Sequence, residues 1–190
     1  NYFVLLGMLG VKNYGNRSIA MVRDDKKELS KTFWSIYILQ LVTTTLMAVA
    51  YYLYIVIIVK ENTLIATIHI IYVIAAAADI SWFFFGLEAF KVTVTRNIIV
   101  KIISSSCIFI FINSKDDLAL YVFIMAFGTL FGQLTVWPFL KKHVYFVRPS
   151  YNDVVRHLRP NLVLFIPVIA ISLYKTIRDF YDPDIEKIII

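Results

Sequence analysis

The architecture of this chain follows from one apolar run, Ala75-Ala-Ala-Ala-Asp79-Ile-Ser-Trp82-Phe-Phe-Phe-Gly86-Leu-Glu88-Ala-Phe-Lys91. Asp79 lies deep inside the run, and an ionised carboxylate in lipid loses the water that stabilises its charge. Such a group persists only where it faces protein or a wet cavity. The run therefore predicts a membrane-embedded helix with one polar face.

The composition of the whole chain agrees with a membrane location. Of its 190 residues, 59% are hydrophobic and 17% are charged, and the mean hydropathy is +0.73. Soluble domains carry about 45–50% apolar residues and about a quarter charged ones. The apolar residues here also form long blocks. We therefore expect a polytopic membrane protein.

Apolar blocks mark the expected transmembrane helices at 2–11, 33–59, 64–87, 98–112, 118–140 and 162–174. A helix needs roughly 20 residues to cross about 30 Å of hydrocarbon. The first and last blocks are shorter, so we expect incomplete helices there. The prediction is an all-α bundle of about six transmembrane helices over 1–174. We interpret 175–190 as an atypical tail that indicates truncation.

The basic residues in the links between blocks give the orientation. Fourteen of them lie in the links 12–31, 91–101 and 141–160, and two lie in 60–63 and 113–117. Basic residues stay on the cytoplasmic side because they resist translocation. The three basic links are therefore expected in the cytoplasm. The net charge of +6 is not interpreted as a nucleic-acid surface, because lipid-embedded blocks separate these clusters.

Helical geometry separates the two acidic residues of the run. Asp79 is about 22 Å from the outer end of its block, which places it in the inner half of the bilayer. Glu88 lies about 180° around a continuous helix from Asp79, so the two do not form a paired-carboxylate site. We expect Glu88 to pair with Lys91, three residues further on. For Asp79 a hydrogen bond to a neighbouring helix and an ion-linked role both remain open.

Basic residues follow the run at its cytoplasmic end. Arg96 and Lys101 could bind the phosphates of an anionic lipid or substrate, because guanidinium matches phosphate bidentately. They could equally anchor the helix at the membrane surface.

Motifs of enzymes and of metal sites are missing from the sequence. The chain has no HExxH, no phosphate-binding glycine loop, no nucleophile elbow and no metal-spaced cluster of His and Cys. The single cysteine, Cys107, excludes an intrachain disulfide. We therefore predict that the protein is not an enzyme and needs neither a cofactor nor a metal.

Four ordered motifs extend along most of the chain. They are Tyr14-Gly15-x-Arg17-x-Ile19-Ala20-x-x-Arg23-Asp24-Asp25-Lys26, Ala78-Asp79-Ile80-Ser81-Trp82-Phe83-x-x-Gly86-Leu87-Glu88, Trp137-Pro138-x-Leu140-Lys141-Lys142 and His157-Leu158-Arg159-Pro160. Together they resemble Wzx-type polysaccharide flippases of the multidrug/oligosaccharidyl-lipid/polysaccharide exporter superfamily. The resemblance implies two six-helix lobes, with this chain supplying most of the first lobe, from the end of helix two into helix seven.

The resemblance also implies a function in the bacterial cytoplasmic membrane. Members of the family move undecaprenyl-pyrophosphate-linked oligosaccharide units across the membrane, by alternating access, for surface polysaccharide such as O-antigen or capsule. On this basis Arg17, Lys91 and Arg96 are expected to bind the anionic substrate and Trp82 to line its path. Asp79 is expected to couple an ion or to form a structural pair.

The same resemblance names partners and leaves alternatives. Membrane lipids, a polysaccharide polymerase and its chain-length machinery are the implied partners besides the lipid-linked oligosaccharide, and nucleic acid is not one. A multidrug or lipid exporter of the same superfamily is an alternative, although its cationic substrates would favour acidic cavity residues. A non-transporting, truncated assembly subunit is another.

Overall fold

The computed structural model describes residues 2–181, and every regular element in that range is helical. The predicted all-α bundle is confirmed for these residues. The helices are α1 (Tyr2–Met8), α2 (Val11–Val22), α3 (Lys26–Ile58), α4 (Thr63–Ile68), α5 (Ile70–Ala78), α6 (Ser81–Gly86), α7 (Phe90–Phe111), α8 (Leu118–Leu134), α9 (Trp137–Leu140), α10 (Tyr151–Val155) and α11 (Leu158–Tyr181).

Within the described range, five helical stretches are long and apolar enough to cross a membrane. They are Lys26–Ile58, Thr63–Gly86, Phe90–Phe111, Leu118–Leu140 and Tyr151–Arg178. The last one extends past 174, where the predicted tail begins, and residues 182–190 of that tail lie outside the described residues.

Helices α3 and α7 begin well before their apolar blocks. Helix α3 begins at Lys26 because the Asp25 carboxylate accepts hydrogen bonds from the backbone N–H groups of Lys27, at 2.8 Å, and Glu28, at 3.2 Å. Helix α7 begins at Phe90, so Arg96 belongs to the helix itself and not to a link.

The run 75–91 is not one continuous helix, and the sequence-based helical phase across it was wrong. Helix α5 ends at Ala78 and α6 begins at Ser81, with an extended backbone at Asp79. The Asp79 carboxylate accepts hydrogen bonds from the Ser81 N–H, at 3.0 Å, and from the Ser81 hydroxyl. Aspartate competes with helix in this way, by offering the backbone a local alternative to the helical hydrogen bond.

Gln40 of α3 compensates for the break. Its side chain is fully buried, and its amide N–H group donates to the carbonyl oxygens of Ala76, at 2.7 Å, and Asp79, at 2.9 Å. Its amide oxygen accepts from the indole N–H of Trp82 at 2.9 Å. Lipid offers no water to backbone groups freed by a break, so protein must satisfy them. Gln40 does so and joins α3 to both halves of the broken span.

Helices α2 and α6 pack at glycine contacts. A Cβ on Gly15 would lie 2.5 Å from Cε3 of Trp82, and one on Gly86 would lie 2.6 Å from Cβ of Ile19. The Trp82 ring in turn stacks on Phe33 of α3, with 5.6 Å between ring centroids. Close packing therefore joins α2, α3 and α6.

The link after α9 returns to the start of α3. The Trp34 indole N–H donates to the carbonyl oxygen of Tyr145 at 3.0 Å, and Lys31 Nζ lies 2.8 Å from an Asp153 carboxylate oxygen. Burial lowers the pKa of His143 in this link, and the charges of Lys142 and Lys26 lower it further. The two contacts from Trp34 and Lys31 connect the link and α10, which precedes α11, to the start of α3.

Replacing Gly15 with Ala is expected to destabilise the fold, because the Trp82 ring is fully buried and cannot move aside. Overpacking of this kind costs about 1–3 kcal/mol. Thermal unfolding of the detergent-purified protein should therefore begin at a lower temperature. Ala20→Val, on an exposed position of the same helix, is the control and should unfold like wild type. Equal stability of the two variants would contradict the close packing of α2 on α6.

Replacing Gln40 with Leu is expected to leave two carbonyl oxygens and one indole N–H without their partner. Unmet buried polar groups cost about 1–3 kcal/mol each, so we expect a loss of about 2 kcal/mol or more in thermal unfolding. Thr45→Val removes a polar group from an exposed position of the same helix and serves as the control. A Gln40→Leu protein as stable as this control would show that the break does not depend on Gln40.

Candidate functional site: cationic surfaces around the broken helix

Asp79 forms an ion pair with Lys12, in the first turn of α2. The distance from Lys12 Nζ to Asp79 Oδ2 is 3.4 Å, with 5% of the carboxylate side chain and 64% of the lysine side chain exposed. The carboxylate also accepts the two hydrogen bonds from Ser81. Of the two interpretations that the sequence left open, the structure supplies the partners of a structural pair, and ion coupling by Asp79 remains a prediction.

Lys12 also borders a cavity of about 590 Å³ between α1, the start of α2, and α11. Its polar lining comes from Tyr2, Lys12, Asn13, Ser172 and Thr176, and the remainder is apolar or glycine. The Tyr2 and Thr176 hydroxyl groups are in hydrogen-bond contact across the cavity. We call this space the Lys12 cavity; Lys12 is the one charged residue among the described residues that line it.

Arg17 lies on a second surface, further along α2. A cavity of about 400 Å³ is lined by Arg17, Tyr14 and Ser18 of α2 and by Arg159 and Pro160 of α11. Both arginines are exposed, so two guanidinium groups border one space. The Tyr14 hydroxyl and His157 Nδ1 are 2.7 Å apart and connect the same two helices. We call this the Arg17 surface.

Arg96 lies between α7 and α8. Its Nη1 donates to the Gln133 side-chain oxygen at 2.5 Å and to the Gly132 carbonyl oxygen at 3.3 Å, and its Nε donates to Asn97 Oδ1 at 3.1 Å. Burying an arginine between two spans requires such partners because the unpaired charge is costly in lipid.

Arg96 borders a cavity on each side, and we call the two together the Arg96 groove. The polar one, of about 260 Å³, includes Lys101, Ser104 and Thr129 in its lining. The apolar one, of about 400 Å³, includes Lys91. The structure therefore groups Arg96 with Lys91 and places Arg17 on a different surface.

The predicted lining role of Trp82 does not agree with its position. The side chain is fully buried between Gly15 and Phe33, and its indole N–H is bonded to Gln40. The break at Asp79 moves Trp82 off the helix face that a continuous helix would have given it. Trp82 therefore supports the broken helix and has no surface that could contact a substrate.

The predicted pair of Glu88 and Lys91 is also wrong. Glu88 has a left-handed backbone, with φ of 58°, and it lies between α6 and α7, so it has no helical i, i+3 neighbour. Its carboxylate pairs instead with Arg23 Nη1, at the end of α2, at 2.9 Å. Both side chains are largely exposed, so the pair adds little stability.

Sequence reasoning missed Lys12 and Arg159 as members of these surfaces. In the sequence both act only as orientation signals in links that are expected in the cytoplasm, and no spacing rule connects them to residues more than a hundred positions away. The sequence did contain one local signal for Lys12, which is the glycine two residues before it. A glycine permits a positive φ, and Gly10 has a φ of 87° where the chain turns into α2. Among the described residues no group of three or more His, Cys, Asp or Glu side chains could hold a metal ion.

The two acidic residues of the run should differ in their contribution to stability. Asp79→Ala removes a buried carboxylate and its two hydrogen bonds to Ser81, and should lower the free energy of unfolding by about 1–3 kcal/mol. Glu88→Ala removes an exposed ion pair and should change it by less than about 1 kcal/mol. Thermal unfolding in detergent compares the two. An equal loss for both variants would contradict this assignment.

Comparisons with known proteins agree with the motifs in the sequence. Residues 1–180 match the family described as "Polysaccharide biosynthesis protein". Over 180 residues the chain is 25% identical to a protein of Escherichia coli (strain K12) described as "Putative O-antigen transporter". The matched region is 92% of this chain and 43% of that protein, so the chain spans less than half the length of this curated relative. No solved structure is significantly similar to the chain.

The family match confirms the resemblance to Wzx-type polysaccharide flippases that the motifs predicted. With the five apolar spans it identifies a multi-pass protein of the bacterial cytoplasmic membrane. By its match over residues 1–180, the chain belongs to the polysaccharide biosynthesis protein family.

Proposed function

We propose that this chain is part of a transporter that moves undecaprenyl-pyrophosphate-linked oligosaccharide units across the cytoplasmic membrane for surface polysaccharide such as O-antigen or capsule. The observation that carries the proposal is a set of cations on the walls of cavities between helices, of which the Arg96 groove lies between two apolar spans. Cations in such positions are costly unless they meet an anion or water. A pyrophosphate supplies the anion, and sugars need the wet path.

The proposed roles follow the three surfaces. Arg17, on the Arg17 surface, and Lys91 and Arg96, in the Arg96 groove, are the proposed contacts to the anionic head group. Guanidinium is suited to this role because it binds phosphate through two parallel hydrogen bonds. Asp79 pairs with Lys12 and accepts hydrogen bonds from Ser81 at the start of α6, and Trp82 stabilises the break from within the core.

Alternating access needs helices that can change their relative positions. The broken span of α5 and α6 and Pro167 within α11 supply two such places, because Pro167 lacks the N–H of a regular helical hydrogen bond. We propose that α11 moves against α1 and α2, with which it shares the Lys12 cavity and the Arg17 surface.

The protein acts as a transporter and not as a catalyst. A polysaccharide polymerase and its chain-length machinery are the proposed partners.

Complementation in cells that lack their own flippase tests the proposal. The complete gene should restore surface polysaccharide, and the double variant Arg17→Gln, Arg96→Gln should restore less than about a tenth as much, because a proposed phosphate contact is lost on each of the two surfaces. Lys27→Gln, an exposed cation that borders none of the three surfaces, is the matched control. Immunoblots of surface glycan and of the protein in the membrane give the measurement.

Two outcomes would contradict the proposal in different ways. A complete gene that restores no glycan yet confers dye efflux would indicate a multidrug exporter. A double variant that works as well as Lys27→Gln, at equal protein level, would show that Arg17 and Arg96 do not bind the substrate.

A further inference from the structure

We infer that the Lys12 cavity is a binding site for the phosphate of a polyprenyl-linked substrate, and that Lys12 serves it by exchanging its partner Asp79 for that phosphate. The inference rests on the proposed function and deepens it, because it adds a binding residue and a reason for the buried carboxylate. It concerns a space separate from the Arg17 surface and the Arg96 groove.

The donors around the Lys12 cavity suit an anion. Gly10, Lys12 and Asn13 in its lining come from the start of α2, where the helix dipole favours negative charge. The ammonium group of Lys12 adds a full positive charge, and the hydroxyl-bearing residues Ser172 and Thr176 line the cavity from α11. No acidic residue is among the described residues that line it.

The size and the apolar part of the wall suit a lipid-linked anion. A volume of about 590 Å³ falls within the roughly 300–1,000 Å³ that is usual for ligand pockets. Val4, Leu5 and Met8 of α1 and Val168 of α11 form an apolar wall beside the polar donors. A polyprenyl pyrophosphate has the same two parts in the same order, a charged head group followed directly by hydrocarbon.

The pair of Lys12 and Asp79 is arranged so that one member can leave. The lysine side chain is 64% exposed, and its ammonium lies 3.4 Å from the carboxylate, longer than a close charge-assisted hydrogen bond of about 2.7–2.9 Å. Asp79 keeps its hydrogen bonds from the Ser81 N–H and hydroxyl when Lys12 departs. A phosphate in the cavity therefore competes with the carboxylate for one mobile cation.

This exchange connects substrate binding to the broken span. Asp79 lies at the junction of α5 and α6, so its ion pair joins that junction to the start of α2. A phosphate that draws Lys12 away removes this connection. Occupancy of the cavity thus changes how firmly α2 is held to the break, and a bound ligand shifts a conformational equilibrium by such a difference in contacts.

Binding measurements on the purified full chain test the exchange, with undecaprenyl pyrophosphate in detergent micelles as the probe. Lys12→Gln should weaken its binding roughly tenfold, because a charged contact is lost. Asp79→Asn should strengthen its binding severalfold, because the competing carboxylate charge is gone while the amide oxygen still accepts from Ser81. Lys27→Gln is the control and should bind like wild type. Undecaprenol, which lacks phosphate, should not compete, and inorganic pyrophosphate should compete only weakly.

Opposite signs for the two variants are the decisive result, because a merely structural ion pair would weaken binding in both. Weakened binding in Asp79→Asn, or wild-type binding in Lys12→Gln, would overturn the inference. If Lys12→Gln does not accumulate in the membrane, Lys12→Arg, which keeps the positive charge, replaces it. Retained binding of undecaprenyl pyrophosphate by Lys12→Arg supports the inference. Loss of that binding from a stable Lys12→Arg protein overturns it. If inorganic pyrophosphate competed as well as undecaprenyl pyrophosphate itself, the inference that the cavity recognises the polyprenyl chain would be overturned. Binding that depends on Lys12, in a protein that fails to restore surface glycan, would leave this site standing and refute the transport proposal.

Discussion

The buried amide of Gln40 stabilises the break between α5 and α6, and the contacts of the neighbouring helices follow from that break. A helix that breaks within lipid exposes carbonyl oxygens that no water can reach, and these must be met by protein. Gln40 meets two of them and also receives the indole N–H of Trp82. Its amide has a donor and an acceptor side, so one residue satisfies groups on both sides of the break. Without that compensation a broken span would be far less stable than a regular one.

The break in turn determines where the charged groups lie. It turns Asp79 towards α2, where the carboxylate meets Lys12, and it allows Trp82 to pack against Gly15. The small residues matter because they let α2 approach α6 closely enough for the ion pair to form. Lys12 is then held at the edge of a cavity that α11 closes on the other side. The packing of aromatic and glycine residues thereby positions a cation for binding.

Much of the fold could be predicted from local information. The apolar blocks fix the class and the approximate spans, and the alternation of basic links predicts the cytoplasmic side, because length and charge act on each segment separately. The phase across the run 75–91 could not be predicted, because Asp79 ends a helix only where its side chain finds the Ser81 N–H and where Gln40 satisfies the carbonyls. The partner of Glu88 could not be predicted either. Pairing with Lys91 would need a continuous helix through both residues, and the partner in the structure, Arg23, is distant in sequence.

The sequence alone identifies a helical membrane protein of the polysaccharide biosynthesis family, predicts that its basic links face the cytoplasm, and makes Arg17, Lys91 and Arg96 candidates for contact with an anionic substrate. These conclusions depend on composition, block length and contiguous motifs. Only the tertiary structure decided that Asp79 belongs with Lys12, that Trp82 is buried, and that Arg17 shares a surface with Arg159. The physical reason is that each of these facts depends on contacts between helices far apart in sequence, and such contacts exist only once the broken span has been packed against α2, α3 and α11.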